Sequence, residues 1–127
     1  MIIEHFGGRD ECKTIEDLER ILKMRYGNAV NEYWIYGEDT FPCLAVLVKD
    51  NCASLTYFPN DNHAGFCSIT MDDNVDNDGT TIFYVNTPTE EIEVDNGCIV
   101  PFANALEAVK EFFVSLSKPS CLEWVEL

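Results

Sequence analysis

Two helical patterns enclose a series of short strand patterns, and this order restricts the fold more than any other feature of the chain. In the first helical pattern, Thr14 is a suitable N-cap with Asp17 three residues later, and Gly27 is the expected stop. Its apolar positions share one helical face and are Ile15, Leu18, Leu22 and Tyr26. The second pattern is a wider apolar stripe that Pro119 is expected to stop. Its apolar positions are Ala105, Leu106, Ala108, Val109, Phe112, Phe113 and Leu116.

The segment between these helices contains strand patterns separated by turn residues. Residues 43–48 are continuously apolar, as in a central strand covered on both faces, and residues 53–58 alternate between apolar and polar. Other strands are predicted at residues 33–36, 66–70, 80–86, 91–95 and 121–125. Trp34 is assigned to the core. The chain is therefore predicted to be a single α+β domain over residues 1–127, with one antiparallel sheet of about six strands and two helices packed on it.

The charge is strongly negative and unevenly distributed. The chain has 23 acids and 8 bases, a formal net charge of −15. Residues 50–109 contain eleven of those acids and neither Lys nor Arg. Such a field repels nucleic acid and anionic membranes, and it speeds encounter with basic proteins. The expected partner is therefore a basic protein, although acidity that only maintains solubility remains an alternative.

The sequence predicts a cytoplasmic protein with reduced thiols. Glu4, Gly7 and Arg9 interrupt the N-terminus too early for a secretory signal, and the longest apolar run, residues 43–48, is too short to span a membrane. The cysteines form no CxxC pair and several lie in apolar stretches, so they are expected to be reduced and mostly buried. They are Cys12, Cys43, Cys52, Cys67, Cys98 and Cys121.

Metal sites and catalytic motifs are weakly represented. Residues 72–79 resemble a calcium loop, but aligning Gly79 at position 6 places Val85, which cannot bind calcium, at position 12. His63 and Cys67 lack the paired close ligands that are typical of structural zinc. A thiol nucleophile beside His5 or His63 would have its pKa raised by the negative field. No metal, cofactor or catalytic residue is therefore predicted, and the chain is not expected to be an enzyme.

The C-terminal part of the chain has Val100-Pro101 followed by Ala105, Ala108, Phe112, Pro119 and Trp124. This order resembles the closing motif of a family of bacterial immunity proteins, the type one family, which are antidotes of polymorphic-toxin and contact-dependent inhibition systems. The resemblance extends over residues 43–127. The first predicted helix of the chain, which precedes this range, fits the family by position only. Where the family usually has a glycine shortly before the proline, this chain has Ser115-Leu116-Ser117-Lys118. The motif positions are Ala105, Ala108, Phe112, Pro119 and Trp124, which we interpret as scaffold.

The resemblance implies a non-catalytic cytosolic protein that binds the C-terminal domain of one cognate toxin. Toxins of such systems are often nucleases or deaminases with basic clefts, which suits the acidity found here. Acids are expected to steer the toxin and aromatics to anchor it in a 1:1 complex. The predicted partner-binding residues are Tyr57, Phe58, Asp61, Asp72, Asp73, Asp76, Asp78, Glu90, Glu91, Glu93 and Asp95. Two alternatives remain: a metal-dependent or catalytic module using residues 72–78, and a general nucleic-acid mimic.

Overall fold

The computed structural model describes residues 1–70 and 78–127, which form an α+β fold. The helices are α1 (Ile15–Leu22) and α2 (Phe102–Ser115). The strands are β1 (Ile2–His5), β2 (Gly8–Glu11), β3 (Val30–Tyr36), β4 (Cys43–Lys49), β5 (Cys52–Phe58), β6 (Phe66–Ser68), β7 (Thr80–Tyr84), β8 (Glu91–Asp95), β9 (Val100–Pro101) and β10 (Trp124–Glu126). The predicted fold class and helices are confirmed, but the described strands exceed six and form two sheets.

The larger sheet is antiparallel throughout, and its order is β10-β6-β5-β4-β3-β1-β2, with β9 paired to the start of β5. The apolar strand β4 lies at its centre, between β3 and β5. One face of this sheet carries Leu44, Val46 and Val48, which are fully buried in a common core with residues of α1 and α2. The helices therefore cover one face of the sheet and leave the other face available.

Helix α1 begins as predicted and ends earlier than predicted. Thr14 Oγ1 accepts a hydrogen bond from Asp17 N at 3.1 Å, which satisfies one free amide of the first turn. The helix ends at Leu22 and not near Gly27. Tyr26, predicted on the helix, instead exchanges backbone hydrogen bonds of 2.8 and 3.0 Å with Val30, so a turn leads directly into β3.

Helix α2 ends four residues before Pro119, so the prediction that this proline stops the helix is wrong. The chain turns at Leu116, whose φ of 52° is the left-handed conformation that glycine adopts most easily. Pro119 is buried, and its carbonyl accepts a hydrogen bond of 2.8 Å from the Trp124 indole. This hydrogen bond between Pro119 and Trp124 holds the segment that leads from α2 into β10.

Motif residues of α2 lie on the side of the helix that faces the sheet. Ala105 is 1% exposed, and Ala108 and Phe112 are fully buried. The small side chains permit close approach of helix and sheet, and the Phe112 ring meets the Tyr57 ring edge-on at 6.2 Å. These positions therefore lie in the packing between α2 and the sheet.

The other face of the sheet is partly covered by a separate hairpin of β7 and β8, which packs against β3 and β4. We call residues 80–95 the acidic hairpin. Phe83 and Val30 are fully buried but lie outside the core under the helices. Since a two-stranded hairpin cannot bury a phenylalanine by itself, Phe83 must be buried by the docking of the hairpin on the sheet.

Candidate functional site

The acidic hairpin presents three carboxylates on one face. Residues directly opposite in an antiparallel pair project to the same side, and Glu91, Glu93 and Asp95 lie opposite Tyr84, Ile82 and Thr80. All three acids are exposed. The reverse face carries Phe83 and Ile92, of which Phe83 is fully buried and Ile92 is 39% exposed. Acidic and apolar residues of the hairpin therefore lie on different faces, and the apolar face is covered only in part.

Hydrogen bonds attach the acidic hairpin to the sheet along its length. Lys49 Nζ donates to the Ile82 carbonyl at 3.1 Å, and Asn28 Nδ2 donates to the Tyr84 hydroxyl at 3.3 Å. At the turn, the amide of Asn86 donates to Glu32 Oε1 at 3.0 Å. Together with buried Phe83, these contacts hold the carboxylates on a fixed surface.

The carboxylates of this hairpin have no counter-ion within the chain as far as the structure describes it. The ion pairs in residues 1–70 and 78–127 join His5 to Asp10, Arg20 to Asp17, His63 to Glu126, and Lys110 to Glu19 and Glu107. Lys110 and Arg20 are on the helices, and Arg25 is stacked on Phe102, 4.6 Å from the ring centroid. The negative field of the hairpin therefore remains available to a partner.

The predicted acids are not all brought together. Glu90 directly precedes β8, and its carboxylate accepts a hydrogen bond of 2.5 Å from Asn86 Nδ2. Asp78 is exposed just before β7, and its carbonyl accepts from Asn96 Nδ2 at 3.0 Å. Asp61 is exposed in the connection between β5 and β6. The other predicted acids, Asp72, Asp73 and Asp76, lie outside the described residues.

The two predicted aromatic anchors lie on opposite faces of the sheet. Tyr57 is 8% exposed and packs in the core beneath α2, so the structure places it away from the surface. Phe58, the next residue, projects to the other face, where it stacks on Trp34 with ring centroids 5.9 Å apart and planes inclined by 20°. Phe58 is therefore the predicted aromatic that lies on the same face as the acidic hairpin.

Trp34 was assigned to the core by the sequence, and this assignment is wrong. Its side chain is 38% exposed, because Tyr33 and Ile35 on either side of it occupy the face beneath the helices. Successive side chains of β3 point to opposite faces of the sheet, so either Trp34 or the pair Tyr33 and Ile35 had to face outward. The signal in the sequence is the pairing of β3 with the buried strand β4: if Tyr33 and Ile35 lie beside buried residues of β4, Trp34 must face outward.

Both histidines lie beside a carboxylate, and the cysteines range from buried to exposed. His5 is 2% exposed at its side chain; its Nδ1 accepts from the Gly7 amide and its Nε2 lies 2.7 Å from Asp10. His63 Nε2 lies 2.7 Å from Glu126. All six cysteines are free, and burial raises the pKa of Cys43 to about 11 and that of Cys67 to about 12. The Cys43 and Cys67 thiols are therefore protonated and unreactive near neutral pH.

Among the residues that the structure describes, no group of three or more His, Cys, Asp or Glu side chains is arranged to hold a metal ion. The calcium alternative depends on a loop that lies largely outside those residues. Neither α1 nor α2, the helices found in the described ranges, has the length and apolarity needed to cross a membrane.

Comparison with known proteins gives two matches. The family described as "Immunity protein Imm1" matches residues 10–126. A protein of Burkholderia cenocepacia (strain H111), described as "Double-stranded DNA deaminase immunity protein", is 29% identical over 128 residues, which cover 100% of this chain and 100% of that protein. The family match includes both helices and the acidic hairpin.

Proposed function

The chain belongs to the Imm1 family of immunity proteins, and from this we propose that it neutralises one basic toxin domain by binding it through the acidic hairpin and the adjoining aromatic face. The observation that carries the proposal is the row of exposed carboxylates, Glu91, Glu93 and Asp95, on a docked hairpin. In the described part of the chain, none of the three forms an ion pair. A protein surface that leaves several like charges unpaired favours a partner of opposite charge.

We propose further that the toxin acts on nucleic acid, and that it is a deaminase. A protein that binds nucleic acid must present Lys and Arg to the phosphates, so its substrate cleft is basic. The relative from Burkholderia cenocepacia is described as the immunity protein of a double-stranded DNA deaminase, which fits this charge argument. An acidic surface seated on such a cleft would exclude the substrate. The encounter would take place in the cytoplasm, where this substrate is found.

The proposed action is stoichiometric binding without turnover. In the proposed interface, Trp34 and Phe58, which stack on each other, form the apolar centre, and the hairpin carboxylates form the charged rim. Interfaces commonly have this arrangement, in which the aromatics supply most of the affinity and the rim sets orientation and encounter rate. This division of roles predicts inhibition that follows the molar ratio of the two proteins.

The test is titration of the folded chain into the toxin domain encoded beside its gene, with deamination of double-stranded DNA as readout. We expect activity to fall linearly and to vanish at a 1:1 ratio, since each bound molecule covers one cleft. Full activity at a large excess of the folded chain would contradict the proposal. An unrelated DNA-binding enzyme serves as control, because a general nucleic-acid mimic would inhibit that enzyme as well.

A further inference from the structure

A second feature of the uncovered sheet face is a groove between β1 and the acidic hairpin. Its volume is about 250 Å³, and it is lined by Glu4, His5, Phe6, Glu32, Trp34 and Asn86. Glu4 lies directly opposite Trp34 in the pairing of β1 with β3. The groove thus has carboxylates beside an indole ring, and we call it the Glu4 groove.

One face of the indole is free to form a wall of this groove. The strand order β5-β4-β3-β1 places Phe58 and Glu4 on opposite sides of Trp34. Phe58 stacks on the side toward β5, and no ring in residues 1–70 and 78–127 is stacked on the side toward Glu4. Strand β4 lies between β3 and β5, which carry the two rings. Ala45 of β4 is directly opposite Trp34, and its small side chain leaves room for the Trp34 and Phe58 rings to meet.

The polar groups of the groove are only partly satisfied within the chain. Glu32 Oε1 accepts the hydrogen bond from the Asn86 amide. Within residues 1–70 and 78–127, neither the Glu4 carboxylate nor the Trp34 indole nitrogen has a hydrogen bond or ion pair. Arg9 lies opposite Glu4 in the pairing of β1 with β2, but no ion pair within 4 Å joins them.

We propose that the Glu4 groove binds an arginine side chain of the toxin, an inference that rests on the proposed function. A guanidinium is planar and can stack on the free face of Trp34 while its N–H groups donate to Glu4 and Glu32. Arginine is favoured over lysine because a compact ammonium cannot stack on the ring and bind two carboxylates in the same plane. The groove then supplies an anchor point, and the acidic hairpin supplies steering.

The first experiment uses the isolated chain and does not require the toxin. N-acetylargininamide is titrated into the labelled protein while the two indole N–H signals are followed by NMR, with the Trp34 signal assigned by its loss in Trp34→Phe. We expect a saturable shift of the Trp34 signal and none at Trp124, and a weaker response to N-acetyllysinamide. Equal shifts with both amides, or none at Trp34, would overturn the arginine groove and leave the proposed function standing.

The second experiment measures toxin affinity for Glu4→Gln and Glu32→Gln, with Glu123→Gln as matched control. The Glu32 replacement keeps an oxygen that can accept from Asn86, so the hairpin stays attached while the charge is lost. We expect the dissociation constant to rise about 10-fold for each groove variant and to stay unchanged for the control. Wild-type affinity in both groove variants would refute the anchor. Absence of any complex with the wild-type chain would instead refute the proposed function.

Discussion

Neutralising the acidic hairpin is expected to slow association with the toxin domain by about 10- to 100-fold. The variant carries Glu90→Gln, Glu91→Gln, Glu93→Gln and Asp95→Asn. These carboxylates have no counter-ion in the parts of the chain that the structure describes, so their removal takes away long-range attraction and leaves the aromatic contacts unchanged. Stopped-flow measurement of the association rate constant at physiological ionic strength gives the value directly.

The control for this variant removes the same charge from positions outside the hairpin, at the end of β2, after β3 and before β10. Glu11→Gln, Glu38→Gln, Asp39→Asn and Glu123→Gln change exposed acids outside the hairpin and give an identical net charge. We expect the control to associate nearly as fast as the wild type, because screening confines attraction to about 8 Å at physiological ionic strength. Equal slowing of both variants would show that net charge alone, and not the hairpin, steers the toxin.

Replacing Phe83 with alanine is expected to remove about 3–5 kcal/mol from the free energy that holds the hairpin on the sheet. Phe83 is the only buried hydrophobic side chain within residues 80–95, so without its ring the hydrogen bonds from Lys49 and Asn28 would lack a packed centre. Hydrogen exchange of the β7 and β8 amides measures this loss, and we expect exchange to accelerate there much more than in α2.

Ile82→Ala is the matched control, since Ile82 is on the outward face of the same strand and its carbonyl still accepts from Lys49. We expect a much smaller change in amide exchange from this replacement. Toxin affinity should fall with Phe83→Ala because the carboxylates lose their fixed positions. If the hairpin amides of Phe83→Ala remain as protected as those of the wild type, the docking argument is incorrect.

The sequence predicts the helices and central strands because their patterns are long and regular. The apolar run in β4 and the alternation in β5 identify central strands, and Thr14 marks the start of α1. The β1–β2 hairpin at the N-terminus is short and has only one fully buried side chain, Ile3, so periodicity cannot show it. The C-terminus of α2 was misplaced because Leu116 adopts a conformation that its residue type disfavours.

The candidate site was predictable in charge but not in geometry. The acids of β8 could be identified from composition, and their exposure agrees with that expectation. Which aromatics accompany them depends on the register of β3 and β5, since a shift of one residue exchanges the two faces. This explains why Trp34 was assigned inward and why Tyr57 and Phe58 could not be distinguished. The Glu4 groove combines β1, β3 and the hairpin turn, so no local pattern indicates it.

The central claim is that the toxin docks on the sheet face that carries the acidic hairpin. Hydrogen–deuterium exchange of the chain, alone and in complex with the toxin domain, tests this most directly. The account predicts new protection in residues 80–95 and 30–36 and unchanged exchange in α2. Protection confined to α1 and α2, with the hairpin exchanging as in the free chain, would contradict it.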